Sequence, residues 1–430
     1  MSRHFGKSGH SHRWVVIATV VCVALAVVAY VLHGMFGQGE GASSSNQDGT
    51  TSGTATVSTE PGDTDGLSLP FSIEGVPSDA TILDVSEGTE TSALEGEWTF
   101  GGDYTKIGSF PIDSDTVFGS CTDNPDDLTS YVAALIMLNG ATPLEERQIG
   151  ETVYEPQDGT GSAQGAVWRS SVLSLSPTTG ADDWRLQAWS AATGTVDTLG
   201  TARDLNGEND TPLLDGEIVP TENESNAFFA SWYLNQGTWT PTVISYALNE
   251  GTSTPTLIDT GSYPAATDGG VIYAGSPAAT ESTTLYKALH TWDTSSSSTV
   301  FTVVSEGNDW GISGVWAYGD RRAVCLSSDK AADGCYIGFW DGSFSTNITW
   351  LHMASPSVVA SMNESWLVWG SGSQADNAGM YAYNLESNAI EYLGSAIGYS
   401  RPVIASENNT VLVPESDGQG AVIFHVGTLS

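Results

Sequence analysis

Hydrophobic and polar positions follow the period of β-strands along the chain after residue 66. Short runs rich in Val, Ile, Tyr, Trp and Thr recur between clusters of Gly, Ser, Asn and Asp, whereas helical periodicity is nearly absent. Alternating runs bounded by turn-forming residues are typical of strands. The pattern predicts an all-β domain over residues 67–430.

The runs repeat as a larger unit of strand, loop, strand, turn and strand. The unit begins at roughly residues 115, 166, 227, 271, 322, 365 and 410, a spacing of about 43 to 61 residues. Repeats of strands at this period indicate blades, each of which must pack on its neighbours to bury both faces. The seven onsets therefore predict a seven-bladed β-propeller.

The last repeat is incomplete. It begins at Thr410 and reaches Ser430 before a third strand of its own. We expect the missing strand to come from between Leu67 and Phe100, where LSLPFSI, ATILDVS and EWTF are the candidates. A blade built from both chain ends closes a ring and removes an exposed sheet edge.

Two Trp-Asp pairs end predicted third strands, Trp292-Asp293 and Trp340-Asp341. We interpret both pairs as architecture. The Asp orders its turn by accepting hydrogen bonds from backbone amides, Gly342 adds flexibility, and the Trp packs against a neighbouring blade. These pairs and the repeat resemble the broad β-propeller group that includes WD40-like and TolB-like repeats, over about 350 residues. The resemblance implies the propeller architecture and no specific family.

The N-terminal residues differ from the rest of the chain. Residues 14–32 form a run of 19 uncharged residues, enough for about 28 Å of helix. The flanking Arg3, Lys7 and Arg13 place the N-terminus in the cytoplasm by the positive-inside rule. We predict a basic cytoplasmic tail at 1–13, a transmembrane helix at 14–32, a disordered Gly/Ser/Thr-rich linker at 33–66 and an extracytoplasmic propeller at 67–430. A cleaved signal peptide is the alternative, because residues 24–26 read Ala-Leu-Ala.

The charge balance excludes one class of partner. Lys and Arg number 13 against 51 Asp and Glu, which gives a formal net charge of -38. So negative a surface repels phosphate backbones, and we expect no nucleic-acid partner.

Two sets of residues are candidates for site chemistry. Cys325 and Cys335 lie on consecutive strands of one predicted hairpin and would form a disulfide outside the cytoplasm. A second segment offers oxygen ligands at alternate positions around a Gly, as calcium loops do, but lacks the bidentate Glu at the twelfth position. It consists of Asp204, Asn206, Glu208 and Asp210. No catalytic residue and no other cofactor are expected.

These observations favour a membrane-anchored, extracytoplasmic and monomeric propeller that binds a protein or glycan ligand outside the cell, as a non-catalytic binding or scaffold module. The alternative is a surface enzyme that acts on glycans or cell-envelope polymers through carboxylates in the pore. Two carboxyl groups roughly 5 to 9 Å apart, one with a raised pKa, would favour the enzyme.

Overall fold

The structure, a computed structural model, describes most of the chain after residue 67. The described residues are 68–85, 93–127, 130–146, 154–172, 182–207, 212, 219–248, 254–279, 284–305, 309–356, 358–371, 379–395, 401–418 and 421–430. The predicted cytoplasmic tail, transmembrane helix and linker lie outside them. Within the described ranges, none of the helices is both long and apolar enough to cross a membrane.

The predicted all-β class is confirmed, since strands dominate the described chain. Three strands precede the repeats: β1 Ser72–Glu74, β2 Ile82–Asp84 and β3 Glu95–Gly101. The repeats begin with β4 Lys106–Asp113, β5 Thr116–Cys121, β6 Val132–Met137, β7 Gly140–Pro143, β8 Glu155–Ser162, β9 Gly165–Ser171, β10 Trp184–Ser190, β11 Thr195–Thr201, a short helix α1 Ala202–Asn206, β12 Thr221–Glu222, β13 Asn226–Asn235, β14 Thr238–Ala247 and β15 Thr256–Thr267.

The repeats continue to the end of the chain. They comprise β16 Gly270–Ala279, β17 Thr284–Trp292, β18 Ser297–Val304, β19 Trp310–Tyr318, β20 Arg321–Ser328, a 3-10 turn Ala331–Asp333, β21 Cys335–Asp341, β22 Asn347–Met353, β23 Val358–Met362, β24 Trp366–Ser371, β25 Gly379–Asn384, β26 Ile390–Gly394, β27 Val403–Ile404, β28 Thr410–Ser416 and β29 Val422–Thr428.

The strands pair in antiparallel groups of four, which we call units and number along the chain. Units 1 (β4–β7), 2 (β8–β11), 6 (β23–β26) and 7 (β27–β29 with β3) are separate four-stranded sheets. Units 3 (β12–β15), 4 (β15–β18) and 5 (β19–β22) belong to one sheet of 13 strands, which also contains β1 and β2.

The 13-stranded sheet corrects the prediction of seven separate sheets. The long strand β15 joins units 3 and 4, because its first half pairs β14 up to Thr260 and its second half pairs β16 from Gly261 onwards. Units 4 and 5 are joined by a single bridge between Tyr286 and Ile312. Gly261 and Pro264 lie where the partner changes, and such residues are more typical of the end of a strand than of one that continues into the next unit.

The first strands of the units form a closed path around a centre. In chain order, β4 contacts β8, β8 contacts β12, β12 contacts β15, β15 contacts β19, β19 contacts β23, β23 contacts β27, and β27 returns to β4. Each unit therefore lies beside the next, and the arrangement is propeller-like.

Aromatic side chains fill the spaces between consecutive units. Their rings lie 4.9 to 6.2 Å apart between centroids, in tilted or edge-on geometry, which favours aromatic pairing. The pairs are Phe118–Trp168, Trp184–Phe229, Phe228–Trp292, Phe301–Trp340 and Phe339–Tyr383. The aromatic residues of the repeats thus belong mainly to the core.

The prediction that an N-terminal strand completes the last unit is confirmed. Strand β3, which contains the EWTF stretch, pairs antiparallel with β29. We call this junction the seam. The rings of Phe100 and Phe424 stack across it at 5.1 Å.

The other two candidate stretches, LSLPFSI and ATILDVS, pair elsewhere. Their described residues belong to the segment 68–85, which we call the strap. Strand β1 pairs antiparallel with β18 at the edge of unit 4, and β2 pairs parallel with β22 at the edge of unit 5. Directly before β1, Phe71 is buried against the rings of Trp310, Tyr336 and Trp350.

Candidate functional site

The Trp-Asp pairs hold turns and junctions between units. Oδ1 of Asp341 accepts hydrogen bonds from the backbone N–H of Ser345 at 2.7 Å and of Thr346 at 3.3 Å. The network orders a turn in which Phe344 has a φ of 57°, a region that costs free energy for a residue with a side chain. Phe344 is thereby buried against Phe301 of unit 4.

Gly342 has a role other than flexibility. Its backbone N–H donates to Oδ1 of Asp320 at 2.9 Å. A Cβ at this position would lie 2.3 Å from the same oxygen. A side chain at this position would displace the Asp320 carboxylate and so weaken this hydrogen bond.

Trp340 is fully buried and contacts more than a neighbouring unit. Its Nε1 donates to the carbonyl of Pro77 in the strap at 2.8 Å. The other pair is similar, since Oδ1 of Asp293 accepts from the N–H of Ser295 and Ser296, and Trp292 contacts unit 3. Hydrogen bonds from these serines lower the pKa of Asp293 to about 2. Each pair thus combines an Asp that orders a turn with a Trp that contacts another part of the ring.

Cys325 and Cys335 are buried free thiols in the structure. They lie on the adjacent strands β20 and β21, where Cys325 is opposite Ile337 and Cys335 is opposite Ser327. A hydrogen bond to Cys335 lowers the pKa of the Cys325 thiol, so the two sulfur atoms are neighbours. The disulfide between them stays a prediction.

The structure describes only two of the four residues of the candidate calcium site. Asp204 and Asn206 lie on α1, whereas Glu208 and Asp210 are outside the described residues. Oδ2 of Asp204 accepts from the Thr201 hydroxyl at 2.7 Å, and Oδ1 of Asn206 accepts from the N–H of Leu234 at 2.9 Å. These oxygens are therefore used in local structure. Within the described ranges, no group of three or more His, Cys, Asp or Glu could hold a metal ion.

A buried charge cluster, which sequence analysis missed, lies at the end of unit 2 where β8 begins. Arg169 donates through Nη1 to Asp182 at 2.8 Å and through Nη2 to Asp158 at 2.6 Å. Next to it, Arg203 donates through Nε and Nη2 to Asp183, the latter at 2.7 Å. Arg169, Asp182 and Asp183 are almost inaccessible to solvent. Because each guanidinium already contacts a carboxylate, the cluster leaves little uncompensated charge for a ligand.

Glu155 lies beside this cluster and differs from it. It is the first residue of β8 and is 7% exposed. Burial, with a smaller contribution from the Asp127 carboxylate of unit 1, raises the pKa of Glu155 to about 7. Glu155 in turn contributes to the raised pKa of Tyr131, so the three groups are close. We call Glu155, Asp127 and Tyr131 the Glu155 site.

A second carboxyl group on a first strand also has a raised pKa. Burial alone raises the pKa of Glu222, on β12 of unit 3, to about 7. Neither Glu155 nor Glu222 contributes to the other's shift. Glu155 and Glu222 therefore do not act on each other, whereas the Asp127 carboxylate contributes to the raised pKa of Glu155.

The opposite end of the ring carries a different set of acidic residues. The turn after each first strand contains one Asp or Glu, except in unit 2, where Gln164 takes this place. The six are Asp115, Glu224, Asp268, Asp320, Glu364 and Glu407. Burial raises the pKa of Tyr318, and Glu407, Glu364 and Asp268 add to that shift, so these three carboxylates lie around Tyr318.

The comparisons with known proteins show no family for this chain. No protein family matches the sequence, and no curated protein matches it. Among solved structures, the chain is similar to an oligogalacturonate lyase in complex with manganese, with a TM-score of 0.47 and 13% identity over 78% of this chain and 91% of that one.

Two further solved structures are similar. The β-propeller domain of the Trilobed protease from Pyrococcus furiosus gives a TM-score of 0.44 and 10% identity over 76% of this chain and 98% of that one. TolB from Acinetobacter baumannii gives a TM-score of 0.38 and 11% identity over 84% of this chain and 97% of that one. At such distances none of them informs the site. The chain's own strand arrangement places it in the broad β-propeller group, without a specific family.

Proposed function

We propose that the protein is a membrane-anchored, extracytoplasmic seven-bladed propeller that acts as a non-catalytic binding or scaffold module at the cell surface. The blade count is supported by the closed path of first strands, which passes through seven units. On this proposal β15 supplies the last strand of one blade and the first strand of the next. The anchor is supported by the uncharged run at residues 14–32.

The binding role is supported by one observation: charged side chains buried in the ring are paired with each other. The largest described cluster pairs Arg169 and Arg203 with carboxylates of their own unit. Such pairs define one native arrangement of side chains and leave the ring as a rigid platform with accessible ends. A ligand would be recognised by side chains and loops at those ends.

A protease-protection experiment tests the location. The full chain carries a C-terminal epitope and is expressed in intact cells, which are then treated with a protease that does not enter them. We expect the epitope to be digested without lysis, while a cytoplasmic marker remains intact. Protection of the epitope until the cells are lysed would contradict the extracytoplasmic placement.

One observation favours the enzyme as second candidate. Glu155 and Asp127 are two nearby carboxyl groups of which one has a raised pKa, as a general acid requires. Purified full-length protein incubated with cell-envelope polysaccharides would then release new reducing ends, and Glu155→Gln would abolish the release. Equal release by both proteins, or none by either, would remove this candidate.

A further inference from the structure

An exposed serine of unit 4 has a strained backbone. Ser276 lies within strand β16, and its φ of 54° is in the left-handed region that residues with a side chain rarely adopt. Pro277 follows it, and a residue before proline favours an extended conformation. Such a backbone conformation costs free energy and is found most often at functional sites. The strain therefore points to a role for Ser276 beyond strand pairing.

The Ser276 hydroxyl lies beside a histidine of the neighbouring strand β17. Oγ of Ser276 is 3.4 Å from Nε2 of His290. The pairing of β16 with β15 ends at Gly275, which is opposite Gly261, so Ser276 is the first residue beyond that edge. Because Ser276 is exposed, a small molecule can reach its hydroxyl from solvent.

The imidazole of His290 is held in place by its surroundings. Its ring stacks on Tyr273, with 5.5 Å between centroids and an interplanar angle of 17°. The Tyr273 hydroxyl is fixed in turn, since it lies 3.0 Å from Oδ2 of Asp259 and 2.9 Å from Oγ of Ser297. The ring also lies against Gly275, where a Cβ would be 2.5 Å from Cδ2 of His290. The imidazole is therefore preorganised.

His290 also has the ionisation state that a base needs. Burial lowers its pKa, and the Asp259 carboxylate opposes that shift only in part. The imidazole is therefore largely neutral at pH 7. When its proton is on Nδ1, Nε2 accepts the hydrogen bond from the Ser276 hydroxyl. A serine hydroxyl beside the free nitrogen of a neutral imidazole is the arrangement of an activated nucleophile.

We propose that Ser276 is a nucleophile that takes the acyl group of an activated ester, with His290 as its general base. Oγ of Ser276 attacks the carbonyl carbon, and its proton passes to Nε2 of His290. A bond forms between Oγ and the carbonyl carbon, the bond from that carbon to the alkoxy oxygen of the donor breaks, and the alcohol leaves with the proton. The inference goes beyond the proposed binding function, to which it adds a covalent step.

A fluorophosphonate probe tests the nucleophile on the full-length protein in detergent. Oγ attacks phosphorus and fluoride leaves, so peptide mass spectrometry locates the stable adduct. We expect labelling at Ser276, and no label at residue 276 in Ser276→Ala or in Ser276→Gly, which the positive φ favours. Ser387→Ala removes an exposed serine between β25 and β26 and should leave labelling unchanged. An unlabelled native protein, or full labelling of both Ser276 variants, would overturn the proposal.

A change at the base gives a second readout. His290→Gln keeps a polar side chain but cannot take the proton, and should slow labelling of Ser276 by about 100-fold. In the native protein the labelling rate should fall only below about pH 6.5, where His290 gains a proton, because its pKa lies below the usual value. The variant should lack this fall. Equal rates for the two proteins would show that His290 is not the base.

The fate of the acyl group separates this proposal from the binding function. With p-nitrophenyl acetate we expect a burst of about one p-nitrophenolate per protein molecule and an acetyl group on Ser276. Continued release that Ser276→Gly abolishes would retain the nucleophile and show that the non-catalytic function is wrong. A native protein that is at the cell surface but reacts with neither reagent would exclude the nucleophile and leave the binding module standing.

Discussion

The N-terminal residues contact the ring at two places, the strap and the seam, which are held in different ways. At the seam, β3 pairs with β29 along a seven-residue strand, and most of its residues are exposed. At the strap, β1 and β2 have three residues each. Phe71 compensates for their shortness, because it is buried among three aromatic rings. Backbone pairing thus holds the seam, and a buried side chain holds the strap.

The largest expected effect is at the strap. Phe71→Ala removes a buried ring and should lower the free energy of unfolding by about 3 to 5 kcal/mol. Denaturant unfolding of the full chain, followed by tryptophan fluorescence, measures the change. Phe71→Leu keeps most of the apolar volume and is the matched control, with a cost below about 1.5 kcal/mol. Equal stability of the Ala variant and the native protein would contradict this view of the strap.

A hydrogen bond provides the second attachment of the strap. Trp340→Phe retains an aromatic ring but removes the donor to the Pro77 carbonyl, and should cost about 2 kcal/mol. The same denaturant experiment applies. Trp292→Phe changes the equivalent residue of unit 4, which contacts Phe228 rather than the strap, and should cost less. A larger effect of Trp292→Phe would mean that the contact to the strap contributes little.

At the seam the side chains should matter less. Phe100→Ala removes a half-buried ring that stacks on Phe424, and we expect a loss of about 1 to 2 kcal/mol. The same denaturant titration of Phe71→Ala and Phe100→Ala shows which of the two junctions depends more on side-chain packing. A loss at Phe100 as large as that at Phe71 would show that packing, and not strand pairing, dominates both junctions.

The smallest effect is expected for the charged groups across the seam. Nδ1 of His425 lies 2.7 Å from Glu97 on β3, and its Nε2 lies 2.8 Å from Glu415 on β28. Because all three groups are near solvent, His425→Ala should cost less than about 1 kcal/mol. The difference should shrink in about 1 M salt, which screens surface charges. A cost that is insensitive to salt would instead indicate packing of the ring.

Much of the fold could be predicted from the sequence. Alternation places most strands of the repeats correctly, and the incomplete final repeat correctly requires a strand from the N-terminal side. The alternation fails where an element is short. The four-residue β7 and the three-residue β1 and β2 are too short for a period to be detected.

The candidate site was less accessible to sequence analysis. Glu155 is recognisable only after β8 packs against unit 1 and removes the carboxyl group from water. Among 51 acidic residues, no local pattern marks the few that become buried. By contrast, the Trp-Asp pairs could be interpreted because their chemistry is local, within five residues of Asp341.

The order of the strap and the seam along the chain has a mechanical consequence. Tension applied through residues before 68 reaches the strap first and is transmitted to β3 only after β1 and β2 have been pulled away from β18 and β22. Phe71 must leave its aromatic pocket in the process. A pull from the N-terminal side would therefore separate the strap from units 4 and 5 before it loads the seam.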